Sequence, residues 1–549
     1  MTLVRISELS YRYPGVIAPA LDGVSLEVNA GEFVVVAGAS GSGKSTLLRA
    51  VSGLVPHFYG GAISGSVSVA GNDTRDHGPG DLSRDVGTLF QDPETQIVMG
   101  TVRAELAFGV QNHGWGAAAV ARAVEEAALA LAVDGLLDRP TAELSGGELQ
   151  RVALGATLAG RPAVVCLDEP TSQLDPVAGD ELIGLLRRLN EDQDLTVILA
   201  EHRLERCLAA ADRVIGMLDG RIGFDGSPAA FLIWALDAAP YLVTPGARLL
   251  SRLGLDPQPG VKAARAALRA ARLLPGPVDV PGQESALKVG RETGSRNRFL
   301  SPRHADSPSA LRFDRVWHEL RDGPVALRGL SLTVAPGERV ALMGRNGAGK
   351  STLLRHAAGL MKPTRGRVEV AGRVALLLQN PTDYLVHDTV AQETSAGALA
   401  RFGLSELADR HPRDLSGGEK QRLALAIVVG DGSSAGPDAD PGLEEPAVLC
   451  LDEPTRGMDR AAKDELVALL RTIGVAVIVA THDPELAAAF ADRVVLLADG
   501  AVIADGAAAE VLCGGVYFAT ETARILGGAG GALLPEAGAA LLERERVSA

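Results

Sequence analysis

The chain has 549 residues, of which 46% are hydrophobic and 22% are charged. This length is too great for a single hydrophobic core, so two or more domains are expected. The formal net charge of −15 argues against a general nucleic-acid-binding surface, which would require a basic face.

The N-terminal sequence MTLVRISELSYRY lacks the basic and then apolar segments of a secretory signal peptide. The most apolar stretch outside the repeated motifs, residues 231–250, is interrupted by Asp237, Pro240 and Pro245. No run approaches the ~20 apolar residues of a membrane helix. We therefore expect a cytosolic chain that reaches a membrane only through a partner.

The cysteines Cys166, Cys207, Cys450 and Cys513 have no C-x-x-C pairing and no metal-ligand spacing. Two of them lie inside apolar runs that read as strands. We interpret them as small buried residues of a protein in a reducing compartment.

The first chemical motif along the chain is GASGSGKST, residues 38–46, which contains the pattern G-x-x-x-x-G-K-[ST]. It follows the apolar run EFVVVAG and precedes the helical pattern KSTLLRAVSGL, the context in which this pattern binds phosphate. GRNGAGKST repeats it at residues 344–352. Successive backbone N–H groups of such a loop surround phosphates at the positive end of a helix. The predicted ATP-binding residues of the two loops are Gly38, Ser40, Gly41, Gly43, Lys44, Ser45 and Thr46, and Gly344, Asn346, Gly347, Gly349, Lys350, Ser351 and Thr352.

In each loop the lysine and the residue after it have distinct predicted roles. Lys44 and Lys350 reach the β- and γ-phosphates, and Ser45 and Ser351 offer hydroxyls to Mg²⁺.

The later motifs also occur twice and in the same order, which indicates a duplicated domain. LFQDPETQ, LSGGELQR, VVCLDEPTSQLD and VILAEHR correspond to LLLQNPTD, LSGGEKQR, VLCLDEPTRGMD and VIVATHD. Apolar strand patterns alternate with helical patterns in both halves, which predicts an α/β fold with a mostly parallel sheet in each.

LSGGE has two readings. Ser145 with Glu148, and Ser416 with Glu419, fit the S-x-x-E capping box that begins many helices. Capping alone does not require two intervening glycines, however, and the motif resembles the LSGGQ signature of the ABC ATPase family. In that family the signature of one domain closes over the nucleotide of the other. The resemblance implies two tandem P-loop ABC ATPase domains that form an intramolecular head-to-tail pseudo-dimer, with ATP contacted by the signature residues Ser145, Gly147, Ser416 and Gly418.

The pseudo-dimer implies two composite ATP sites. Lys44 would face Ser416 in one, and Lys350 would face Ser145 in the other.

CLDEP places two carboxylates at the end of an apolar strand in each half. Asp168 and Asp452 are predicted to hold Mg²⁺ through water. Glu169 and Glu453 are predicted to polarise the attacking water as general bases.

Two further pairs of residues match motifs of the ABC family. Gln91 and Gln379 match its glutamine loop, which senses Mg²⁺ and the membrane partner. Asp175 and Asp459 match its D-loop, which crosses the dimer interface.

The family's switch histidine, which contacts the γ-phosphate, matches His202 and His482. All catalytic elements are therefore present in both halves, and we expect both sites to hydrolyse ATP. Tyr13 fits the aromatic residue that stacks on adenine, but the equivalent position in the second half is Leu320. Trp317 lies three residues earlier, so we expect the second site to lack adenine stacking and to bind ATP more weakly.

The branch of the family is indicated by LFQDPETQIVMGTVRAELAFG, residues 89–109, and by SGLVPHFYGGAISGSV. Both resemble the fused ATPases of energy-coupling factor transporters. This resemblance implies docking on a transmembrane coupling protein, which binds a membrane substrate-capture protein for a vitamin or a transition-metal ion. It places the chain at the cytoplasmic face of the cell membrane. The second half diverges after Gln-x-Pro and Thr-Val, so unequal contacts with the coupling protein are expected.

A translation-associated tandem ATPase that acts on ribosomes is the rival hypothesis. The net charge, the segment at 89–109 and the absence of a long charged hairpin between the halves count against it.

The sequence predicts several segments outside the two ATPase domains. Residues 275–310 read as a flexible linker, 260–274 as a helix with one basic face, and 430–446 as an exposed acidic loop. The predicted organisation is ATPase domain 1 over 1–230, a helical extension and linker over 231–310, ATPase domain 2 over 311–510, and a helical tail over 511–549 that supports the dimer.

Overall fold

The computed structural model divides into two compact units, Met1–Ala270 and Ala271–Ala549. It describes residues 1–172, 174–274, 308–319, 325–430, 445–455, 458–515 and 517–548, without the side chains of 545, 547 and 548. Leu320 lies outside the described residues, as do most of the predicted linker and residues 431–444 of the predicted acidic loop.

The first unit is built on a mostly parallel sheet with the strand order β10-β9-β3-β8-β7-β6. Strand β10 pairs antiparallel with β9, and the other neighbouring pairs are parallel. A second, antiparallel sheet has the order β2-β1-β4-β5. The strands are β1 (Thr2–Arg12), β2 (Leu21–Asn29), β3 (Phe33–Gly38), β4 (Ala62–Val69), β5 (Asn72–Asp73), β6 (Val86–Leu89), β7 (Val164–Asp168), β8 (Thr196–Ala200), β9 (Arg213–Leu218) and β10 (Arg221–Gly226).

The helices of the first unit include a group after the ATPase motifs, over residues 228–270, which belongs to this same unit. The helix predicted over 260–274 is observed as Gly260–Ala270, with Lys262 and Arg269 exposed and Leu268 buried. The α-helices are α1 (Lys44–Val51), α2 (Leu54–His57), α3 (Pro79–Leu82), α4 (Val102–Asn112), α5 (Ala117–Ala130), α6 (Gly146–Ala159), α7 (Pro176–Gln193), α8 (Leu204–Cys207), α9 (Pro228–Ala238), α10 (Pro245–Arg252) and α11 (Gly260–Ala270). Short 3₁₀ helices cover Pro93–Thr95, Asp134–Leu136, Thr141–Glu143 and Pro240–Leu242.

The second unit repeats this architecture. Its large sheet has the order β15-β16-β17-β13-β18-β19, in which only the β18–β19 pair is antiparallel, and its small sheet has the order β12-β11-β14. The strands are β11 (Leu311–Glu319), β12 (Val325–Val334), β13 (Arg339–Gly344), β14 (Arg365–Val370), β15 (Val374–Leu377), β16 (Val448–Asp452), β17 (Ala476–Ala480), β18 (Arg493–Ala498) and β19 (Ala501–Ala507).

The helices of the second unit continue to the end of the described chain, so the tail predicted as helical does contain helices. The α-helices are α12 (Lys350–Ala357), α13 (Val390–Glu393), α14 (Ala396–Arg401), α15 (Gly417–Val429), α16 (Arg460–Thr472), α17 (Pro484–Phe490), α18 (Ala508–Cys513), α19 (Glu521–Leu526) and α20 (Pro535–Ser548). Short 3₁₀ helices cover Pro381–Tyr384, Ser405–Leu407, Pro412–Asp414 and Ala529–Gly531.

The strands that carry the motifs are buried along their whole length. Every residue of β3, β7 and β8 is buried, as is every residue of β16 and β17. Strands covered on both faces are apolar throughout, as parallel sheets require. Their carboxyl ends therefore provide rigid attachment points at one edge of each sheet for the polar residues that follow.

The prediction of buried cysteines is confirmed for three of the four, and Cys513 is half-buried. Cys166, Cys207 and Cys450 are buried, and all the cysteines are free thiols. Burial raises the pKa of Cys166 and of Cys450 to about 12, which makes both thiols unreactive. Among the described residues, no helix has the length and hydropathy needed to cross a membrane.

Candidate functional site

The first phosphate loop connects the central strand of the parallel sheet to helix α1. Strand β3 ends at Gly38 and α1 begins at Lys44. Lys44 Nζ donates to the carbonyl oxygens of Gly38 at 2.9 Å and Ala39 at 2.8 Å. Gly43 has a φ of 101°, and a Cβ there would lie 2.6 Å from the carbonyl oxygen of Ala20. Glycine is therefore required for the loop to close around the lysine ammonium.

The second phosphate loop has the same geometry between β13 and α12. Lys350 Nζ donates to the carbonyl oxygens of Gly344 at 2.9 Å and Arg345 at 3.3 Å. Gly349 has a φ of 100°, which matches Gly43. The other predicted ATP contacts lie within these loops or in the first turn of the helices: Ser40, Gly41, Ser45 and Thr46, and Asn346, Gly347, Ser351 and Thr352.

A buried carboxylate faces each phosphate loop from the end of the neighbouring motif strand. Asp168 ends β7, hydrogen-bonds with the side chain of Ser45, and has a buried Oδ1 without a hydrogen-bond partner among the described residues. Burial raises the pKa of Asp168; the hydrogen bond from Ser45 opposes this effect, and the charge of Glu169 adds to it. An unpaired buried carboxylate oxygen beside a hydroxyl provides the hard oxygen ligands that Mg²⁺ prefers.

The second unit has the same pair of an aspartate and a phosphate-loop serine. Asp452 ends β16, its Oδ1 is likewise buried and unpaired in the described structure, and Ser351 hydrogen-bonds with its carboxylate. Burial raises the pKa of Asp452 above its ordinary value, against the opposing hydrogen bond from Ser351. Both units therefore fit Mg²⁺ at the positions that the sequence indicates. Asp168 with Ser45, and Asp452 with Ser351, would hold the metal, which would supply positive charge to offset that of the phosphates.

Strand pairing brings the predicted general base and the switch histidine together. Because β7 and β8 run parallel with Asp168 opposite Ala200, Glu169 N donates to Ala200 O at 2.9 Å. His202 follows two residues after Ala200, and its Nε2 lies 2.9 Å from Glu169 Oε1. In the second unit, His482 Nδ1 lies 2.8 Å from Glu453 Oε2.

Glu169 and Glu453 both have a φ of 49°, which is a strained conformation for a residue other than glycine. The same strain at the same position in both units indicates that the fold imposes this direction on the carboxylate.

The surroundings of Glu169 favour its charged form. Burial alone would raise its pKa, but the hydrogen bond from His202, together with the charges of His202 and Lys44 and a hydrogen bond from Gln91, lowers it below the ordinary value. An ionised carboxylate that accepts a proton from water is what a general base requires. In the second unit, Lys350 Nζ lies 3.8 Å from Glu453 Oε1, which provides a similar positive neighbour.

The capping-box interpretation of LSGGE is observed, because the box forms in each unit. It is compatible with the interpretation of LSGGE as an ABC signature. Ser145 N donates to Glu148 Oε2 at 2.8 Å, and the Ser145 hydroxyl also bonds with that carboxylate at 2.7 Å. Ser416 N donates to Glu419 Oε2 at 2.7 Å. The glycines Gly147 and Gly418 lie in the first turns of the helices that begin here. Contact of these signatures with ATP stays a prediction.

The predicted D-loop aspartates are helix caps within their own units. Asp175 Oδ1 accepts from Ala178 N and Asp459 Oδ1 accepts from Ala462 N, both at 3.0 Å. Their predicted role at an interface stays a prediction.

Tyr13 lies beside the phosphate-loop helix. Its hydroxyl is 3.2 Å from Thr46 Oγ1 and accepts from Arg49 Nη1 at 2.8 Å. The guanidinium of Arg49 also stacks over the ring of Tyr59 at 4.7 Å. The sequence signals for this cluster are the aromatic residues in SYRYPG and HFYGG.

The second unit has no matching aromatic cluster among its described residues. Trp317 packs against Arg365, whose guanidinium lies 6.0 Å from its ring centre, and against Gly329. His318 instead contacts the phosphate-loop helix, through His356 at 4.8 Å between ring centres. Trp317 therefore does not take the place of Tyr13 in this arrangement.

The glutamine loops depend on two bracing residues that the sequence interpretation missed. Gln96 Oε1 accepts from Phe90 N at 3.1 Å, and Gln96 Nε2 donates to Thr88 O at 2.9 Å. At the equivalent position, five residues after the loop glutamine, the second unit has Tyr384. Its hydroxyl accepts from Leu378 N and donates to Leu376 O, each at 3.0 Å. Chemically different side chains thus brace the equivalent glutamine loop in each unit.

We expect Tyr384→Phe to destabilise the second unit by about 1–3 kcal/mol, because it leaves a backbone donor and an acceptor without their partner. Urea unfolding of the purified chain measures this change. Tyr517→Phe, at an exposed hydroxyl, is the control and should have no measurable effect. Equal stability of the Tyr384 and Tyr517 variants would contradict the bracing role.

Each unit therefore has the arrangement of a P-loop nucleoside triphosphatase: a phosphate loop with its lysine, a buried aspartate beside the loop, and a glutamate paired with a histidine. A family model described as "ABC transporter" matches residues 21–172 and 327–456. The chain belongs to this family.

Individual relatives agree with this assignment. A putative ABC transporter ATP-binding protein of Streptomyces coelicolor is 42% identical, over 95% of this chain and 97% of that protein. One of Bacillus thuringiensis is 34% identical, over 95% of each chain. Among solved structures, RNase-L inhibitor is similar in fold, with a TM-score of 0.56 and 21% identity over 91% of each chain.

The chain is therefore an ATP-binding protein of an ABC transporter, with two ABC ATPase domains in tandem. Such domains hydrolyse ATP, generally with Mg²⁺, and ABC ATP-binding proteins work with membrane components.

Proposed function

We propose that the chain powers an importer of the energy-coupling factor type. In this proposal it docks at the cytoplasmic face of the membrane on a transmembrane coupling protein. That protein carries a membrane substrate-capture protein for a vitamin or a transition-metal ion. The proposal rests on the resemblance of residues 89–109, the segment that follows the first glutamine loop.

The exposure of an apolar side chain in this segment supports the proposal. Val98 is 63% exposed, and Val386, at the equivalent position of the second unit, is 77% exposed. A single exposed valine is ordinary on a protein surface. What supports a partner contact is its recurrence at the same place in both units, next to a braced loop.

Buried carboxylates hold the backbone that carries these valines. Glu105 Oε2 accepts from Val98 N at 3.0 Å and from Met99 N at 2.7 Å. In the second unit, Glu393 Oε1 accepts from His387 N at 2.8 Å, and its other oxygen pairs with His387 Nδ1 at 3.0 Å. The apolar Met99 of one unit is replaced by the polar His387 of the other, which supports unequal contacts with the coupling protein.

We expect Val98→Glu combined with Val386→Glu to lose the membrane partner while keeping basal ATP hydrolysis, because a charge on an apolar contact is costly to bury. The tagged full-length chain is purified from gently solubilised membranes of its native host, and the copurifying proteins are identified by mass spectrometry. Leu129→Glu is the matched control, since Leu129 is 66% exposed but lies on helix α5 rather than in these loops.

The proposal predicts that the unmodified chain and the Leu129 variant retain a polytopic membrane protein and a small hydrophobic capture protein. The identity of the capture protein would indicate the cargo. Ribosomal proteins without a membrane partner would contradict the importer and favour the translation-associated alternative.

The same proposal includes two composite ATP sites within the chain, in which Lys44 faces Ser416 and Lys350 faces Ser145. ATP at both sites favours a closed arrangement because each γ-phosphate contacts both halves, and hydrolysis removes those contacts. Two composite sites are supported by the sequence, because each half has a complete phosphate loop, a carboxylate pair and a signature.

A further inference from the structure

The strand that leads to the switch histidine ends differently in the two units. After β8 the chain continues Glu201-His202, and after β17 it continues Thr481-His482. Glu201 is only 3% exposed and Thr481 is fully buried. The same buried position therefore holds a carboxylate in the first unit and a hydroxyl in the second.

The Glu201 carboxylate accepts hydrogen bonds from two separate loops. Oε1 accepts from Thr171 N at 3.0 Å and from the Thr171 hydroxyl at 2.5 Å. Oε2 accepts from His202 N at 3.1 Å and from Arg203 N at 3.4 Å. A buried carboxylate is costly unless its oxygens are satisfied in this way, and hydrogen bonds to a charged acceptor are strong.

These two loops carry the general base and the switch histidine. Thr171 follows Glu169 by two residues, and His202 follows Glu201 directly. One carboxylate thus ties the backbone after Glu169 to the backbone of His202. The distance of 2.9 Å between His202 Nε2 and Glu169 Oε1 depends on the relative position of these loops.

The second unit holds its histidine loop by other contacts. Asp483 N donates to the Thr481 hydroxyl at 3.0 Å. The Asp483 carboxylate pairs with Lys463 Nζ at 2.8 Å, and both side chains are mostly buried. This ion pair ties the loop after His482 to helix α16.

The first unit cannot form a Lys–Asp pair at the equivalent positions. The equivalent of Lys463 is Gly179, four residues after the D-loop aspartate, and the equivalent of Asp483 is Arg203. Arg206 packs against Gly179 so closely that a Cβ there would clash with its guanidinium. In the first unit Glu201 links the histidine loop to the loop after Glu169 instead.

We propose that Glu201 is a positioning residue for ATP hydrolysis in the first unit. It acts through the backbone of Thr171 and His202 and places the imidazole against the Glu169 carboxylate. The second unit achieves the same alignment with the Lys463–Asp483 pair.

The test uses the full chain with Glu453→Gln, which confines hydrolysis to the site of Glu169. Adding Glu201→Gln turns an amide N–H₂ toward backbone donors and breaks the link. We expect kcat to fall by roughly ten- to a hundredfold, because a displacement of about 1 Å at a reacting group has effects of this size. KM for ATP should change by less than about threefold, since the phosphate loop is untouched.

A milder variant separates positioning from loss of folding. Thr171→Val removes one hydroxyl donor and keeps the backbone N–H, so we expect a smaller fall in kcat of roughly three- to tenfold. Thr481→Val, the matched change at the Glu201 position of the second unit, should leave kcat of this site unchanged.

A second readout reports the histidine directly. The chain contains 10 histidines, so ring signals of ¹³C-labelled histidine can be resolved by NMR, with His202→Gln assigning one of them. We expect Glu201→Gln to shift the His202 signal and to leave that of His482 in place.

Unchanged kcat together with an unmoved His202 signal would overturn the proposal. A purely structural role would instead lower thermal stability and ATP affinity along with kcat, and that pattern would also overturn it.

A rescue experiment introduces the residues of the second unit at the equivalent positions of the first unit and measures kcat. Glu201→Thr alone should be impaired, whereas Glu201→Thr combined with Arg203→Asp, Gly179→Lys and Arg206→Leu should recover most of kcat. No recovery in a folded chain would count against the proposal.

Discussion

The combination of Glu169→Gln with Glu453→Gln is expected to reduce steady-state ATP hydrolysis by roughly a hundred- to ten-thousandfold, the usual contribution of a general base. Each glutamate follows a predicted Mg²⁺-binding carboxylate directly and lies within hydrogen-bond distance of a histidine. Glutamine keeps the size of the side chain and can still accept a hydrogen bond, but it cannot take up a proton from water. The loss therefore falls on the chemical step.

ATP binding should survive this double substitution, because the phosphate loops and the magnesium carboxylates are unchanged. Phosphate release measures the rate, and the thermal shift on adding ATP with Mg²⁺ measures binding. Each single variant should retain part of the activity, since both units have the complete arrangement. Glu94→Gln, at an exposed carboxylate near Gln91, is the control and should hydrolyse ATP normally.

ATPase activity close to that of the unmodified chain in the double variant would remove both glutamates from the general-base role. Loss of ATP binding together with activity would assign them to nucleotide binding instead.

The duplicated motifs predicted the fold well because most of them mark a place where a buried strand ends, and LSGGE marks the start of a helix. A phosphate loop requires a strand before it and a helix after it, and CLDEP requires an apolar strand that ends in a carboxylate. The sequence order of these signals therefore indicates an α/β fold with a parallel sheet in each half. The alignment of strands β7 and β8, which places Glu169 against His202, follows from that sheet.

Residues that act through the backbone were not predictable from a motif. Gln96 and Tyr384 brace the equivalent loops of the two units with different side chains. A comparison of the two half-sequences therefore does not reveal their shared role. Glu201 accepts from Thr171, which lies 30 residues earlier in the chain, whereas Thr481 accepts from the backbone of the nearby Asp483. Partners that lie far apart in sequence become visible only in the folded chain.

The lysines of the phosphate loops should control ATP affinity. We expect Lys44→Met combined with Lys350→Met to weaken ATP binding by roughly ten- to a hundredfold, because each substitution removes a charged hydrogen-bond donor to phosphate. Titration with a fluorescent ATP analogue measures the change. Lys362→Met, at an exposed lysine of the second unit, is the control and should bind ATP as the unmodified chain does.

Arginine should not replace Lys44, although it keeps the charge. The Lys44 ammonium is buried and donates to the carbonyl oxygens of Gly38 and Ala39, so the loop encloses a small group. A planar guanidinium is larger and does not fit the same enclosure. Full ATP affinity in Lys44→Arg would show that charge alone, without this geometry, is sufficient.

The single lysine variants also test the proposed composite sites. If Lys44 and Ser416 contact the same nucleotide, Lys44→Met and Ser416→Arg should be non-additive in their effect on ATP affinity, because the second change acts on a site already lost. Lys44→Met with Ser145→Arg should be additive, since these residues would belong to different sites. The reverse pattern would place each signature over the phosphate loop of its own half and would contradict the head-to-tail arrangement.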